Sequence, residues 1–143
     1  THVSTAFGIL AAAAHAMMRT GGSIVLTASA ASRIGMANHE AVAAAKGAII
    51  GLTLSAAATY AAKGIRVNCV APGLVETPLT EALLSSDVNR KASQGMHALG
   101  RLGSPEDVAY SMAWLLSEES SWVTGQVLGV DGGLGSVLPR MRA

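Results

Sequence analysis

The chain has 143 residues, half of them hydrophobic, which suits one domain with a sizeable buried core. Only 13% of the residues are charged and the formal net charge is +1. This balance argues against nucleic acid or an anionic membrane as a partner, because both attract a basic stripe or patch. Aromatic residues make up 3%, and the positive mean hydropathy with so few of them favours an α/β fold over a β-sandwich or a β-barrel.

The number of cysteines and the apolar stretches of the sequence indicate the cellular compartment of the protein. Cys69 is the single cysteine, so the chain forms neither an internal disulfide nor a thiolate metal site. Residues 41–62 form the longest apolar stretch, but Lys46 and several hydroxyl residues interrupt it. No charged leader precedes a small-residue cleavage site at the start. We therefore expect a soluble, cytoplasmic protein with no metal.

The first half of the chain predicts helix, strand, helix. A helical pattern covers residues 6–19, and two glycines separate it from the β-branched run at 23–27. Asn38 is a candidate N-cap for the longest helix, which spans residues 38–62. Lys63 and Gly64 close that helix with a cation and a glycine.

The second half continues the alternation. Residues 65–71 predict a strand that stops at Pro72, since proline lacks the donor that a central ladder needs. A short helix is predicted at 81–92, and Ser104 caps another that ends at residue 116. Residues 126–130 predict the last strand. Strands separated by helices imply right-handed crossovers and a parallel sheet with three strands.

Ligands of open parallel sheets bind at the carboxyl ends of the strands. Ser29 follows the first predicted strand, and Pro72 with Gly73 follows the second, so these residues are the first candidates for a site. Lys46 is the one charged residue between Glu40 and Lys63. It is either a functional cation or a surface lysine whose stem packs along the helix.

Several ordered motifs, spaced over nearly the whole chain, resemble the short-chain dehydrogenase/reductase family. They are Thr27-Ala28-Ser29, Ala45-Lys46-Gly47, Arg66 through Gly73, Thr77-Pro78, Arg101 through Asp107, Thr124-Gly125-Gln126 and Asp131-Gly132-Gly133. The resemblance implies that residues 1–143 are the C-terminal part of a doubly wound, Rossmann-type parallel sheet. The half that binds the dinucleotide phosphates would lie upstream, in agreement with the lack of a glycine-rich turn between a strand and a helix. The glycines at 132–135 follow the last strand and predict a structural turn.

The same resemblance implies hydride transfer between NAD or NADP and a carbonyl or alcohol. In this family a tyrosine passes the proton, a lysine lowers its pKa and holds the ribose, a serine orients the substrate oxygen and an asparagine positions a water. Ser29 and Lys46 match the serine and the lysine. The tyrosine position is Val42, thirteen residues after Ser29 and four before Lys46, and the asparagine position is His2. The usual proton donor is therefore missing.

His39 is a candidate replacement for the missing phenol. It lies three residues before Val42 and seven before Lys46, so a continuous helix would put all three on one face. The seven-residue spacing also resembles the enoyl-reducing branch of the family, which uses a tyrosine one turn earlier. The alternative is that His39 is a surface histidine near a helix start.

By resemblance, the cofactor-binding residues are Lys46, Pro72, Gly73 and Thr77, with Thr77 at the position that contacts the nicotinamide carboxamide. Residues 76–96 resemble the segment that covers the substrate, and its leucines and methionine point faintly to an apolar substrate.

A stripe of small residues follows the longest predicted helix at three- and four-residue intervals. Its members are Gly47, Gly51, Ser55, Ala58 and Ala62. Such a stripe allows another backbone to approach closely. By resemblance the helix at 38–62 makes a homo-oligomer contact, while packing on its own sheet is the alternative.

Three hypotheses for function follow. The first is an NAD(P)-dependent oxidoreductase that acts on a small molecule. The second is a catalytically impaired relative that serves as a cofactor-binding or assembly module, in line with Val42 and His2. The third is a fragment that needs a partner chain, because its first strand, at 22–28, would lack a neighbour. The sequence does not name the substrate or choose between NAD and NADP.

Overall fold

The structure, a computed structural model, describes residues 2–139. The described residues form five α-helices and three β-strands. They are α1 (His2–Met17), β1 (Gly22–Thr27), α2 (Glu40–Tyr60), β2 (Ile65–Pro72), α3 (Glu81–Leu84), α4 (Asp87–Met96), α5 (Pro105–Leu116) and β3 (Val127–Val130). Short 3-10 helices lie at Ala30–Ser32, Ala61–Lys63 and Glu118–Ser120.

The three strands form a parallel sheet in the order β1-β2-β3. Gly22 pairs with Ile65 at the start of β1, and Cys69 pairs with Val127 at the start of β3. The central strand β2 is buried along most of its length, as expected for a parallel sheet covered on both faces. The predicted α/β class with a parallel sheet is confirmed.

Helices cover both faces of the sheet. On one face α1 and α2 pack over alternate residues of β1 and β2, among them Ile24, Ile65 and Val67. On the other face α5 contacts all three strands, and Ser23 Oγ donates to the carbonyl of Leu115 at 2.7 Å. The resulting three layers leave the carboxyl ends of the strands open at one edge.

The helix α2 starts one residue later than predicted. Asn38 has a φ of 62°, in the left-handed region, and therefore does not cap the helix. His39 occupies the N-cap position instead, with no side-chain capping bond, and helical geometry begins at Glu40. At the other end Gly64, with a φ of 68°, closes the last turn as predicted.

The single helix predicted at 81–92 is wrong. Ser86 has extended backbone geometry and separates α3 from α4, which then runs on to Met96. Serine and aspartate favour the start of a new helix over the middle of an old one, because their side chains compete for backbone groups. By contrast α5 starts as predicted, with a reciprocal capping box between Ser104 and Asp107. The Arg101 guanidinium bonds to the Asp107 carboxylate and, with the Ser104 amide, holds the pKa of that carboxyl far below its usual range.

Residues 40–63 are long and apolar enough to cross a membrane by length and composition alone. Such a test is also met by core helices of water-soluble folds. In this structure one face of α2, with Ile49, Thr53, Ala56 and Ala57, is buried in the domain.

Candidate active site

A cleft of about 240 Å³ opens where β1 and β2 end. We call it the strand-end cleft. Its walls combine a few polar groups with aliphatic and methionine side chains. They are Ser29, Ala30, Ala31, Met36, His39, Pro72, Gly73, Leu74, Leu83, Ser93, Met96, His97 and Leu134. Four residues that the sequence singles out, Ser29, His39, Pro72 and Gly73, therefore lie in one cavity.

Ser29 is held by the turn that leaves β1. Its backbone is extended, and its Oγ accepts a hydrogen bond from the Ala31 amide at 3.2 Å, which caps the 3-10 helix at Ala30–Ser32. Its carbonyl accepts from Ser32 Oγ at 2.6 Å. The capping bond uses a lone pair of the Ser29 oxygen, so its hydrogen remains available to donate to a ligand oxygen.

Lys46 reaches the end of β1 from the second turn of α2. Its Nζ donates to the Thr27 carbonyl at 3.0 Å, a solvent-exposed bond that places the ammonium group at the carboxyl end of β1. An ammonium has three donors, so two remain for a ligand. Lys46 does not line the strand-end cleft, although Thr27 lies only two residues before Ser29.

His39 enters the cleft from the N-cap of α2. Its Nδ1 lies 2.8 Å from the Ala37 carbonyl, and since a carbonyl only accepts, Nδ1 carries the hydrogen and Nε2 has the free lone pair. The predicted arrangement on one continuous helical face is wrong for His39, because helical geometry starts only at Glu40. Val42 is 44% exposed and does not line the cleft.

Thr77 lies outside the strand-end cleft. Its amide donates to Thr80 Oγ1 at 3.0 Å, and the two hydroxyl oxygens are 3.2 Å apart. It lines a neighbouring cavity of about 590 Å³, where Glu76 and Arg90 form an ion pair. The side chain of His2, at the asparagine position, lies outside the described part of the structure.

His97 is a buried polar residue of the cleft that the sequence does not reveal. It follows α4 directly and is 4% exposed. Its Nδ1 lies 2.7 Å from the Ser93 carbonyl, and its Nε2 accepts from the Leu74 amide at 3.1 Å. The bond to Leu74 spans 23 residues of chain, so no local pattern points to it.

The turn after β2 and the turn after β3 pack closely together beside the His97 ring. Gly73 lies against the His97 ring, and a Cβ at this position would be 2.7 Å from His97 Nε2 and 3.0 Å from the Asp131 Cα atom. The Asp131 carboxylate accepts from the amides of Gly133 and Gly135, each at 3.0 Å. The structural turn predicted for the glycines at 132–135 is confirmed.

Cys69 does not supply a nucleophile. It is fully buried in β2, and burial raises the pKa of its thiol.

Comparison with known proteins identifies the class of protein to which this chain belongs. The family model described as enoyl-(acyl carrier protein) reductase matches residues 2–135. The protein belongs to the short-chain dehydrogenases/reductases, as the sequence motifs indicate.

Among individual relatives, the chain is 47% identical over 116 residues to cis-4-hydroxycyclohexanecarboxylate dehydrogenase of Sinomonas cyclohexanicum, covering 81% of this chain and 46% of that protein. A short-chain type dehydrogenase/reductase from Mycobacterium ulcerans has a TM-score of 0.89 at 36% identity, covering 94% of this chain and 49% of the other. A gluconate 5-dehydrogenase from Burkholderia cenocepacia, in complex with NADP and tartrate, has a TM-score of 0.88 at 34% identity. The match covers 93% of this chain and 52% of the other. The chain thus spans about half the length of these relatives.

The close approach at Gly73 predicts a cost for any side chain there. We expect Gly73→Ala to lower the free energy of unfolding by about 1–3 kcal/mol, because the methyl group meets both the His97 ring and the Asp131 backbone. Gly95→Ala is the matched control, since a Cβ at Gly95 meets nothing within 4 Å. The control should leave stability unchanged or raise it by up to about 1 kcal/mol, because Gly95 lies in α4 and alanine has the higher helix propensity. Urea unfolding measures both, and equal effects would contradict the packing described for Gly73.

Proposed function

We propose that the protein is an NAD(P)-dependent oxidoreductase that transfers hydride between the nicotinamide and the carbonyl or alcohol carbon of a small molecule. The strand-end cleft is the observation that carries this proposal, because it joins Ser29 and His39 with the turn at Pro72 and Gly73. Membership of a family of dehydrogenases and reductases, and an NADP complex among the related structures, support it.

The residues present fit a nicotinamide cofactor by their donor chemistry. Lys46 has two N–H groups left after its bond to Thr27, and these suit the hydroxyl groups of a ribose. Pro72 and Gly73 line the strand-end cleft, and Thr77 lies four residues after Gly73 in the chain. The cofactor, when bound, supplies or accepts the hydride. NAD and NADP are both compatible with these contacts.

The protein groups then handle the substrate oxygen and its proton. The Ser29 hydroxyl donates to the substrate oxygen and orients it. Neutral His39, with its free lone pair on Nε2, takes the hydroxyl proton when an alcohol is oxidised, and the imidazolium returns it when a carbonyl is reduced. His39 thereby performs the step that Val42 cannot.

The walls of the cleft support a small substrate with an apolar body. Met36, Leu83, Met96 and Leu134 supply apolar surface, while Ser29 and His39 supply the polar end. We expect the protein to act in the cytoplasm, where such cofactors are abundant.

A second candidate is a relative that binds the cofactor without turnover. Val42, with an isopropyl group at the proton-donor position, favours it. A requirement for a partner chain is compatible with either function, since within residues 2–139 β1 pairs with β2 alone and its other edge has no strand.

Substitutions at Val42 and His39 distinguish the two candidates. The assay follows NADH and NADPH oxidation with a panel of carbonyls, using the longest natural form of the protein. An active enzyme should lose about 100-fold in turnover in His39→Ala, the usual contribution of a general acid, while the exposed His15→Ala on α1 should have no effect.

Val42→Tyr should raise turnover about tenfold or more by restoring a phenol, and Val42→Phe, of similar size without the hydroxyl, should not. Cofactor binding without turnover in the unmodified protein would favour the second candidate. No binding of either cofactor would contradict both.

We also propose that α2 mediates a homo-oligomer. Its buried face points to the sheet, whereas Gly51, Ser55, Ala58 and Ala62 of the small-residue stripe are exposed. Exposed small residues leave room for the backbone of a second copy.

Light scattering with size-exclusion chromatography tests the homo-oligomer. Ala58→Glu should weaken association at least tenfold by placing a charge in the contact, while Ala92→Glu, on an exposed position of α4, should not. A monomer at all concentrations would overturn this interface.

A further inference from the structure

His97 joins three separate parts of the fold. Its ring accepts from the Leu74 amide on the loop after β2 and donates to the Ser93 carbonyl one turn back in α4. Its Cβ lies against the turn after β3, 3.4 Å from where a side chain at Gly132 would begin. Because the residue is 4% exposed, water does not readily replace either hydrogen bond.

The two bonds fix the protonation state of the ring. The Ser93 carbonyl only accepts, so Nδ1 carries a hydrogen, and the Leu74 amide only donates, so Nε2 must offer a lone pair. A hydrogen added at Nε2 would face the Leu74 N–H and remove that bond. The neutral ring thus holds the loop after β2 to α4, and the charged ring does not.

The linked elements are two walls of the strand-end cleft. The loop at Pro72, Gly73 and Leu74 forms one side, and Ser93 with Met96 of α4 forms the other. The His97 bonds therefore set the distance between these walls.

We infer that His97 is a positioning residue, a latch whose neutral ring holds α4 against the loop after β2 and whose protonation releases it. The latch deepens the proposed function, because it makes the shape of the substrate cleft depend on pH. It does so through the Leu74 backbone, without contact between His97 and the reacting atoms. Its existence does not require that the protein turn over a substrate.

The ionisable groups around His97 do not replace its bonds. His39 faces it across the strand-end cleft, and the Arg101–Asp107 pair lines a second cavity that shares the ring. Asp131 lines that second cavity too, but its two carboxylate oxygens accept from backbone amides of its own turn. Among the described neighbours none is positioned to accept a hydrogen from Nε2 where the Leu74 amide now donates.

Backbone hydrogen exchange measured by NMR on the longest natural form of the protein tests the latch without cofactor or substrate. The Leu74 amide should have a protection factor about tenfold lower at pH 5.5 than at pH 7.5, because a protonated ring has no lone pair on Nε2 to accept from that amide. Protection factors correct for the intrinsic pH dependence of exchange. His97→Gln should remove the pH dependence, since the glutamine carbonyl accepts from Leu74 at both pH values.

His39→Ala is the matched control, because it removes the other histidine of the cleft and leaves both His97 bonds in place. It should retain the tenfold change. Equal Leu74 protection at the two pH values in the unmodified chain, or a pH-dependent loss that persists in His97→Gln, would overturn the latch. Loss of NAD(P)H turnover or binding would instead count against the proposed function and leave the exchange result unaffected.

Discussion

The pairing of β2 between β1 and β3 is the constraint on which the site depends. β2 is buried along most of its length, so its parallel register with both neighbours is fixed by backbone hydrogen bonds and by helices on each face. That register brings Ser29, after β1, beside Pro72 and Gly73, at the end of β2. The catalytic proposal follows from this placement, because residues far apart in the chain meet only where the strands end.

The sequence predicts the sheet and most of its helices because those features are local. Alternation of β-branched runs with helical periods predicted all three strands, and Gly64 and Ser104 predicted the ends of two helices. The break at Ser86 was missed, although serine and aspartate favour the start of a helix over its interior. His39 was placed on a helical face by spacing alone, but Asn38 has a left-handed backbone, so the N-cap moves to His39 and the helix starts one residue later.

The site was predictable only in part, for a physical reason. Ser29 and the turn at Pro72 and Gly73 follow from the rule that ligands bind at strand ends. The bond from Lys46 to the Thr27 carbonyl, and the bonds of His97 to Leu74 and Ser93, depend on how helices pack against loops. Such contacts have no period or spacing in the sequence.

The proposed chemistry depends on two departures from the family pattern, at Val42 and His2. By the resemblance, Val42 takes the position of the family's tyrosine, while Ser29 and Lys46 match its serine and lysine. His39 supplies a lone pair from a different backbone position, at the N-cap of α2. The proposed enzyme therefore keeps the orientation of substrate and cofactor and changes the group that moves the proton.

An amide chemical-shift map of NADPH binding tests the central claim most directly, with NADH as a second ligand and the longest natural form of the protein. The account predicts that saturating cofactor shifts the amides of Ser29, Lys46, Gly73 and Thr77, which surround the ends of β1 and β2. Shifts confined to the opposite edge of the sheet, near Gly21 and Gly64, or no shifts with either cofactor, would contradict it.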